Sequence, residues 1–208
     1  GGVPLCKSFM HLHLGVPASA LPADLPPQWT VVRSWDMPID APGNVVVVSV
    51  PSLLDPSLAP EGYHVIHAYT AGNEPYELWE PFEDRSARDS QAYADLKAER
   101  ALPIWEAIER RVPAIRNACV VSMVGSPLTH ARYLNRYRGN YGLAIAAGNA
   151  DGFAFPGVRT PLSNFFRCGD STTAGIGVPA VAASGAQCAN AILSVWEQLE
   201  MNAKIDMG

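Results

Sequence analysis

Two glycines near the end of the sequence have a spacing that suits the binding of a negatively charged ligand group. The stretch Gly175-Ile176-Gly177-Val178-Pro179-Ala180 fits the pattern G-x-G-x-x-[GA], which opens a helix against a pyrophosphate in dinucleotide-binding proteins. Glycine lets the backbone approach a ligand closely, and Pro179 suits a first helical turn, where a missing N–H is not needed. Because free N–H groups at a helix start stabilise negative charge, the turn predicts a site for a phosphate or for the N1/C2=O edge of a reduced flavin.

A complete dinucleotide-binding βαβ unit needs a second parallel strand after the helix and an acidic residue about 20 residues past the glycines. Here the chain reaches Gly208 directly after the predicted helix, and Glu197 and Glu200 lie on that helix. The pattern therefore does not predict a complete unit. Asp170 precedes the turn at the end of a predicted strand, where its carboxylate can accept a ribityl or sugar hydroxyl. The alternative is a helix-start turn with tight alanine and glycine packing and no ligand, and the stretch alone leaves both open.

Histidines form a second group of chemically capable residues. His11 and His13 alternate with apolar residues in a predicted strand, so they point to one face like a pair of metal ligands. The sequence shows no third ligand, and His64 and His67, three apart in another strand, point to opposite faces. The prediction is therefore no metal site. No Ser-His-Asp order with a nucleophile elbow is present, which argues against a hydrolase.

A polar and aromatic cluster occupies residues 129–138. It suggests either a segment near a cofactor or substrate entrance, or a solvated helix start with Thr129 as the N-cap. The cluster consists of Thr129, His130, Arg132, Tyr133, Arg136, Tyr137 and Arg138.

Composition limits the class of protein. The chain has 208 residues, 48% of them hydrophobic and 17% charged, which is enough for a substantial core. A net charge of −5 argues against nucleic acid as a partner, and no apolar run reaches the length of a membrane span. The four cysteines are far apart and form no C-x-x-C, so we expect reduced thiols and no zinc or redox motif. The sequence begins without Met, which favours a processed chain or part of a longer one.

The elements that must position these residues follow from periodicity. Period-two or β-branched patterns predict strands at 8–16, 44–52, 64–70 and 117–126, and a shorter one at 165–170. The stretch 21–30 is predicted as a Pro-rich connection, and the first strands as an antiparallel meander. Helical spacing covers 86–112, with Pro103 expected to kink the run or to start a second helix. A long helix is predicted from Val178 to about Met201.

Several stretches together resemble one family. CGDSTTAGIGVPAVAASGAQCAN (168–190) is similar to the C-terminal flavin-binding segment of the carotenoid isomerase and phytoene desaturase-like flavoproteins. Four further stretches agree with it in the family's order: SFMHLHLG (8–15), PSLLDPSLAPEGYHVIHAYT (51–70), GSPLTHARYLNRYRGNYG (125–142) and RTPLSNFFRCGD (159–170). The resemblance is closest to prolycopene isomerase-like sequences of oxygenic phototrophs.

The resemblance implies an α/β fold in two parts. Residues 1–124 would belong to an α+β substrate domain with a mixed or antiparallel sheet, and 125–208 would return into a Rossmann-like FAD-binding domain. The N-terminal βαβ unit that binds the ADP half of FAD in this family is missing from the sequence. By resemblance, Gly169 and Asp170 would contact the ribityl–pyrophosphate region of FAD. Gly175, Ile176, Gly177 and Val178 would present backbone to the flavin ring, and Pro179 and Ala180 would open the helix.

Two functions follow from the resemblance. The first is the C-terminal part of an FAD-dependent carotenoid cis–trans isomerase or oxidoreductase acting on a long polyene, with the chain alone expected to be inactive. The second is a non-catalytic remnant that serves as a structural or interaction subunit of a larger, thylakoid-associated assembly. The implied partners are a carotenoid substrate or pigment, the missing N-terminal half or a chain that supplies it, and a membrane complex. The implied location is a plastid or a cyanobacterium, peripheral to the thylakoid membrane and without a transmembrane helix.

Overall fold

The computed structural model describes residues 5–144, 155–173 and 175–206. The chain divides into two compact units, one of which is Lys7–Asn140 and the other the described residues outside that range. The described part is mixed α/β, as the sequence predicts at this coarse level. The predicted division of roles after residue 124 stays a prediction, as does the Rossmann-like character of the second part.

The larger unit is built on a five-stranded antiparallel sheet. Its strands are β1 (His11–Pro17), β2 (Gln28–Val32), β3 (Val45–Ser49), β4 (Tyr63–Thr70) and β5 (Val121–Gly125). The order is β2-β3-β4-β1-β5, so the predicted antiparallel pairing of successive strands is confirmed for β3 and β4, whereas β1 pairs with β4 and β5 and not with β3.

Strand β2 corrects the prediction of a connection at 21–30. Trp29 and Val31 alternate inward and pair with Val48 and Val46 of β3, because the chain becomes extended and β-branched as soon as Pro27 is passed. The continuous β-branched run of β3 is typical of a strand buried on both faces. Instead Val46 and Val48 are fully buried, while Val45 and Val47 are half-buried on the other face.

One face of the sheet carries the core. Leu12, Leu14 and Val16 of β1 are buried there, and α1 (Gln91–Glu109) packs against this side through Ile104 and Ile108. The opposite face of β1 carries the histidines, which are the residues that alternate with these leucines. The period-two pattern of the sequence thus divides core from candidate site.

Helix α1 runs through Pro103 as one helix, so of the two outcomes expected there, a kink or a second helix, the second helix is wrong. Proline removes one intrahelical hydrogen bond, but the buried Ile104 and Ile108 hold the following turns on the sheet. The proline ring lies against the Gly43 turn, where an added Cβ would come within 3.1 Å of it. Tertiary packing overrides the local preference here.

Two short helices flank β5. Helix α2 (Ile115–Ala118) takes the first residues of the predicted strand 117–126, and β5 starts only at Val121. Helix α3 (Pro127–Leu134) is capped by Ser126, with Thr129 completing a capping box as the third helical residue. The prediction that Thr129 is the N-cap is therefore wrong, because the serine three residues earlier takes that position.

The smaller unit holds α4 (Val178–Ile192) and α5 (Val195–Asp206). The single helix predicted over 178–201 is broken at Leu193, and the Ser194 hydroxyl and the Glu197 carboxylate cap the new helix start. This S-x-x-E pattern is a readable helix-start signal. The strand predicted at 165–170 is reduced to a single bridge between Arg159 and Phe166.

Candidate functional site

The predicted flavin-contacting residues lie on one continuous loop and the first turn of α4. Gly169, Gly175 and Gly177 all have positive φ, at 112°, 82° and 103°, which L-residues other than glycine rarely adopt. A Cβ added at Gly169 or Gly177 would meet no atom within 4 Å. The loop is therefore open on the side that a ligand would approach. Ala174, between the two halves of the loop, lies outside the described residues.

Two buried hydroxyls hold this loop on α4. The Gly169 N–H donates to Ser184 Oγ at 3.0 Å, and the Thr172 hydroxyl donates to the Gly169 carbonyl at 2.7 Å. Since the Thr172 proton is used there, the Ser184 hydroxyl donates to Thr172 Oγ1 across 2.5 Å. Thr172 and Ser184 are almost completely buried and were not singled out from the sequence. Their types are common in loops and helices, so only the fold reveals their role.

The start of α4 has a free set of backbone donors. Gly177 is its N-cap, and no side chain caps the first turn among the described residues. Val178 is 80% exposed and Pro179 lies in the first turn. The helix start therefore carries partial positive charge with apolar side chains beside it.

Asp170 occupies the position expected before the turn. Its carboxylate accepts a hydrogen bond from the Ser171 hydroxyl at 3.2 Å. Gly142 passes close beneath its backbone: a Cβ there would come 2.6 Å from the Asp170 carbonyl oxygen. The position of Asp170 thus depends on a glycine much earlier in the chain, a coupling that spacing alone cannot predict.

A histidine cluster occupies the outward face of the sheet in the larger unit. His11 and His13 share a face, as predicted, and His67 lies directly opposite His13 in the β1–β4 register. One ring nitrogen from each of the three lies within 4.8 Å of the others. The sequence shows no third ligand for His11 and His13, and the three-residue spacing of His64 and His67 makes those two poor ligands of one ion. The pairing of β1 with β4 nevertheless brings His67 to the pair. His64, three residues away, is bound to Ser52 Oγ instead at 2.9 Å.

The cluster is tightly packed. The Nδ1 atom of His11 is 2.8 Å from Nε2 of His67, and the rings of His13 and His67 stack with centroids 4.6 Å apart. His130 of α3 lies against His11 with its ring centroid 4.5 Å away. Four imidazoles therefore come from three elements that are remote in the sequence.

Burial and mutual repulsion keep these rings neutral. Desolvation, together with the neighbouring His130, His67 and His13, lowers the pKa of His11 to about 2. Desolvation, with His13 and His130, lowers the pKa of His67 to about 4. Burial also lowers the pKa of His13 and of His130. At neutral pH the cluster therefore presents uncharged imidazole nitrogens.

An apolar groove of about 510 Å³ lies next to the cluster on the same face of the sheet. Its walls come from β1, β4, β5 and the loops at their ends, and include His13, Tyr63, Val65, His67, Val121 and Met123. Met123 is 60% exposed and is the cross-strand neighbour of His13. Such a surface suits a long apolar ligand better than a polar one.

The predicted polar and aromatic cluster at 129–138 divides into two parts. Thr129, His130, Arg132 and Tyr133 line a second cavity of about 630 Å³ that also reaches His11 and His13. Arg138 instead pairs with Glu80 at 2.6 Å and lies over the ring of Tyr76. The helix start and its continuation therefore have separate surroundings.

A scan against protein-family models found no match. Among curated proteins, the chain is 33% identical over 186 residues to the chloroplastic prolycopene isomerase of Daucus carota, covering 89% of this chain and 29% of that protein. The chloroplastic prolycopene isomerase 2 of an Oncidium hybrid cultivar is 32% identical over 186 residues, which cover 89% of this chain and 30% of that protein. The chloroplastic prolycopene isomerase of Arabidopsis thaliana is 32% identical over 203 residues, which cover 97% of this chain and 33% of that protein. The resemblance to the carotenoid isomerases is confirmed.

The similarity to the carotenoid isomerases includes nearly all of this chain, so both compact units take part in it. The chain spans about a third or less of the length of these curated relatives. The relatives are named as chloroplastic proteins. Within the described residues, no helix is long and apolar enough to cross a membrane.

Proposed function

We propose that this chain supplies the flavin-facing turn and part of the substrate surface of an FAD-dependent carotenoid cis–trans isomerase, an oxidoreductase-type flavoprotein of carotenoid biosynthesis. The observation that carries the proposal is the 32–33% identity to prolycopene isomerases over 89–97% of the chain. The polyene substrate, the cofactor and a chloroplast location peripheral to the thylakoid membrane belong to this proposal.

The loop before α4 fits a flavin. The positive-φ backbone at Gly175 and Gly177 lets a flat ring approach closely, and the space beside Gly177 is open, whereas Gly175 faces the ring of Phe155. Val178 N–H and Ala180 N–H, at the uncapped helix start, would stabilise negative charge on a reduced ring, since Pro179 between them has none. When bound, the reduced flavin supplies the redox chemistry for rearranging the double bonds of the polyene.

The remaining predicted residues have supporting roles. Asp170 would accept hydrogen bonds from the ribityl hydroxyls, with Gly169 leaving room beside it. Ile176, 39% exposed, would cover the flavin with apolar contacts and exclude water. The ADP half of the cofactor needs a nucleotide-binding unit, which we propose is supplied by a further segment or by a partner chain.

The apolar groove suits the polyene. Val65, Val121 and Met123 offer apolar contacts on a solvent-facing sheet surface. A long hydrocarbon leaving water for this surface is stabilised by about 25 cal/mol for each Å² of apolar area buried. Among the described residues no Asp, Glu, Lys or Arg lines the groove, and His13 and His67 are held neutral there.

A second candidate function is a structural or interaction subunit without catalysis, within a larger photosynthetic-membrane assembly. Helix α5 favours it, because several large apolar side chains are more than half exposed. They are Val195, Trp196, Leu199 and Ile205. Apolar surface of this kind is typical of protein contacts.

The test is flavin binding and isomerisation by the full chain. Purified protein, alone and together with a nucleotide-binding segment or partner, is given excess FAD and a reductant without oxygen. Bound flavin is measured by fluorescence, and conversion of prolycopene is measured by chromatography. Gly177→Ala is compared with Gly62→Ala, because both glycines have positive φ and neither added Cβ meets a neighbour within 4 Å. Gly177, at φ 103° and ψ 154°, has a backbone conformation that is essentially restricted to glycine, so the stability of both variants is measured beside their flavin affinity. Only weaker flavin binding by folded Gly177→Ala counts as lost contact with the flavin.

We expect flavin to bind to the wild type and to Gly62→Ala, and to bind at least about tenfold more weakly to Gly177→Ala, the cost of about 1.4 kcal/mol of lost contact. Equal affinity in the two variants would contradict the assigned role of the turn. Folded protein that binds no flavin and converts no prolycopene, with or without a nucleotide-binding partner, would leave the non-catalytic function.

A further inference from the structure

Three imidazoles meet at the centre of the outward sheet face. β1 and β4 are inner strands of the sheet, since β5 borders β1 and β3 borders β4. His11 and His13 come from β1 and His67 from β4. Their Cα atoms are thus fixed by ladder hydrogen bonds on both sides, which gives the group a rigid base.

The distances are close to those of a shared ion. A zinc ion binds imidazole nitrogen at about 2.0–2.1 Å, so two nitrogens on a tetrahedral ion are about 3.3 Å apart. The nitrogens here lie within 4.8 Å of one another, and Nδ1 of His11 is 2.8 Å from Nε2 of His67. The His11–His67 nitrogen pair needs to open by about half an ångström to admit the ion. The His13 ring is exposed but stacked on His67, so it must turn out of this stack to direct a nitrogen at the same ion.

The donor chemistry also suits a metal. Neutral imidazole is the form that binds divalent first-row ions, and such nitrogen sets favour zinc, copper and nickel over magnesium or calcium. The buried Nε2 of His11 has no hydrogen-bond partner among the described residues. If the His11 ring bound an ion through Nδ1, its Nε2 would carry the proton and could donate it to a water or to a new neighbour, which would give this buried nitrogen a partner.

We propose that His11, His13 and His67 bind one divalent first-row transition-metal ion, most suitably Zn²⁺. Three histidine ligands leave a fourth position on the solvent side, beside the exposed His13. That position admits water or a polar ligand group. The site stands on the larger unit alone and does not depend on flavin binding, so it is tested separately from the proposed function.

The competing explanation is that the rings only pack against one another. His13 and His67 stack almost parallel, with an interplanar angle of 6°, and His11 stacks on Tyr69. Stacked neutral rings would form an aromatic floor for the apolar groove without any ion. Direct measurement of metal binding separates the two explanations.

The test is a Zn²⁺ titration of the full chain, prepared without a histidine tag and stripped with a chelator. Affinity is measured by competition with a chromophoric chelator. His13→Asn removes an exposed ligand at little risk to folding, and His64→Asn is the matched control on β4 outside the cluster. We expect one Zn²⁺ per chain at micromolar affinity or tighter, at least about 100-fold weaker in His13→Asn and unchanged in His64→Asn.

A measurement on the wild type avoids reliance on variants. Addition of Zn²⁺ should shift the ring signals of three of the five histidines in ¹⁵N NMR, and Co²⁺ should give the visible spectrum of a nitrogen-ligated tetrahedral ion. Absence of binding, equal loss in the control, or a thiolate-to-Co²⁺ absorption from the cysteines would each overturn the proposal.

Discussion

The carboxylate of Glu74 and the guanidinium of Arg100 form a two-bond ion pair against the core. Nε and Nη2 of Arg100 donate to Oε1 and Oε2 of Glu74, both at 2.9 Å. The indole N–H of Trp79 donates to the same Oε1 at 3.1 Å. Glu74 is 1% exposed. The pair connects the segment after β4 to the middle of α1. It therefore links the sheet to the helix that packs on it.

Removing one partner of this pair should be strongly destabilising. We expect Arg100→Met to lower the free energy of unfolding by about 3–5 kcal/mol, because it leaves a buried carboxylate without its counter-ion. Urea denaturation followed by tryptophan fluorescence measures the change. Arg110→Met, at the exposed C-cap of the same helix, is the control and should change stability little.

The double variant Glu74→Leu/Arg100→Met separates charge from packing. It should recover part of the loss, since a buried pair replaced by apolar groups is often neutral, but the buried indole N–H of Trp79 loses its acceptor on Glu74. A loss below about 1 kcal/mol in Arg100→Met would mean that the pair behaves like a surface salt bridge, contrary to its burial.

Stability should depend on pH through His67. Its pKa is about 4 in the folded chain and about 6.5 when unfolded, so at acid pH the unfolded chain binds a proton that the folded chain rejects. The free energy of unfolding is unaffected by this ring well above pH 6.5, falls as the pH drops through about 6.5, and stops falling from this cause below about 4. Between these two pKa values, we expect the free energy of unfolding to fall less steeply with decreasing pH in His67→Gln than in the wild type.

The pH measurement uses metal-free protein, and His64→Gln on the same strand is the control. It should retain the steepness of the wild type, since its ring is bound to Ser52 outside the cluster. Parallel curves for wild type and His67→Gln would show that the His67 ring is not shielded from protons.

How far the sequence predicts this chain is illustrated by its histidines. Local periodicity places His11 and His13 on one face, because side-chain direction in a strand repeats every two residues. It cannot add His67, since that depends on which strand pairs with β1 and in which register. The same limit applies to Asp170, whose support by Gly142 is a contact between distant parts of the chain.

Elements were predicted well where one signal dominates and poorly where signals compete. The β-branched run of β3 and the alternation of β1 needed no tertiary information. Pro103 signalled a break that packing of Ile104 and Ile108 overrides. At Ser194 the opposite happens: a local capping signal interrupts a helix that apolar spacing alone would continue.

Gly139 should tolerate no side chain. It has a φ of +62°, and an added Cβ would clash with the Pro127 carbonyl oxygen at the start of α3. Gly62 also has a positive φ, of +79°, but its Cβ would meet nothing within 4 Å. Gly62→Ala should therefore lower the free energy of unfolding only through the strain of a left-handed backbone, by about 1–2 kcal/mol. Gly139→Ala adds a steric clash to this strain.

We expect Gly139→Ala to lose at least about 2 kcal/mol more than Gly62→Ala in urea denaturation, or to fail to fold. Equal losses would show that α3 shifts at little cost away from the chain that follows it, and that the Ser8 hydroxyl, which donates to the Gly139 carbonyl at 2.8 Å, does not fix this contact.

Ser184 should control the shape of the flavin-facing loop. Its hydroxyl oxygen accepts from the half-buried Gly169 N–H, and its proton goes to the buried Thr172. Ser184→Ala leaves these two groups without their partner, at a cost of about 1–3 kcal/mol. Because that cost falls on the loop, we expect faster amide hydrogen exchange at residues 169–173, while α1 and the sheet keep wild-type protection.

The matched control is Ser163→Ala, an exposed serine of the same unit. It should leave exchange in the loop unchanged. If Ser184→Ala exchanges like the control, Thr172 alone holds the loop through its bond to the Gly169 carbonyl. If instead the loop loosens and flavin affinity falls with it, then the glycine backbone at Gly175 and Gly177 binds the flavin only when α4 anchors the residues before it. Ser184 would then be one of the residues that position the cofactor.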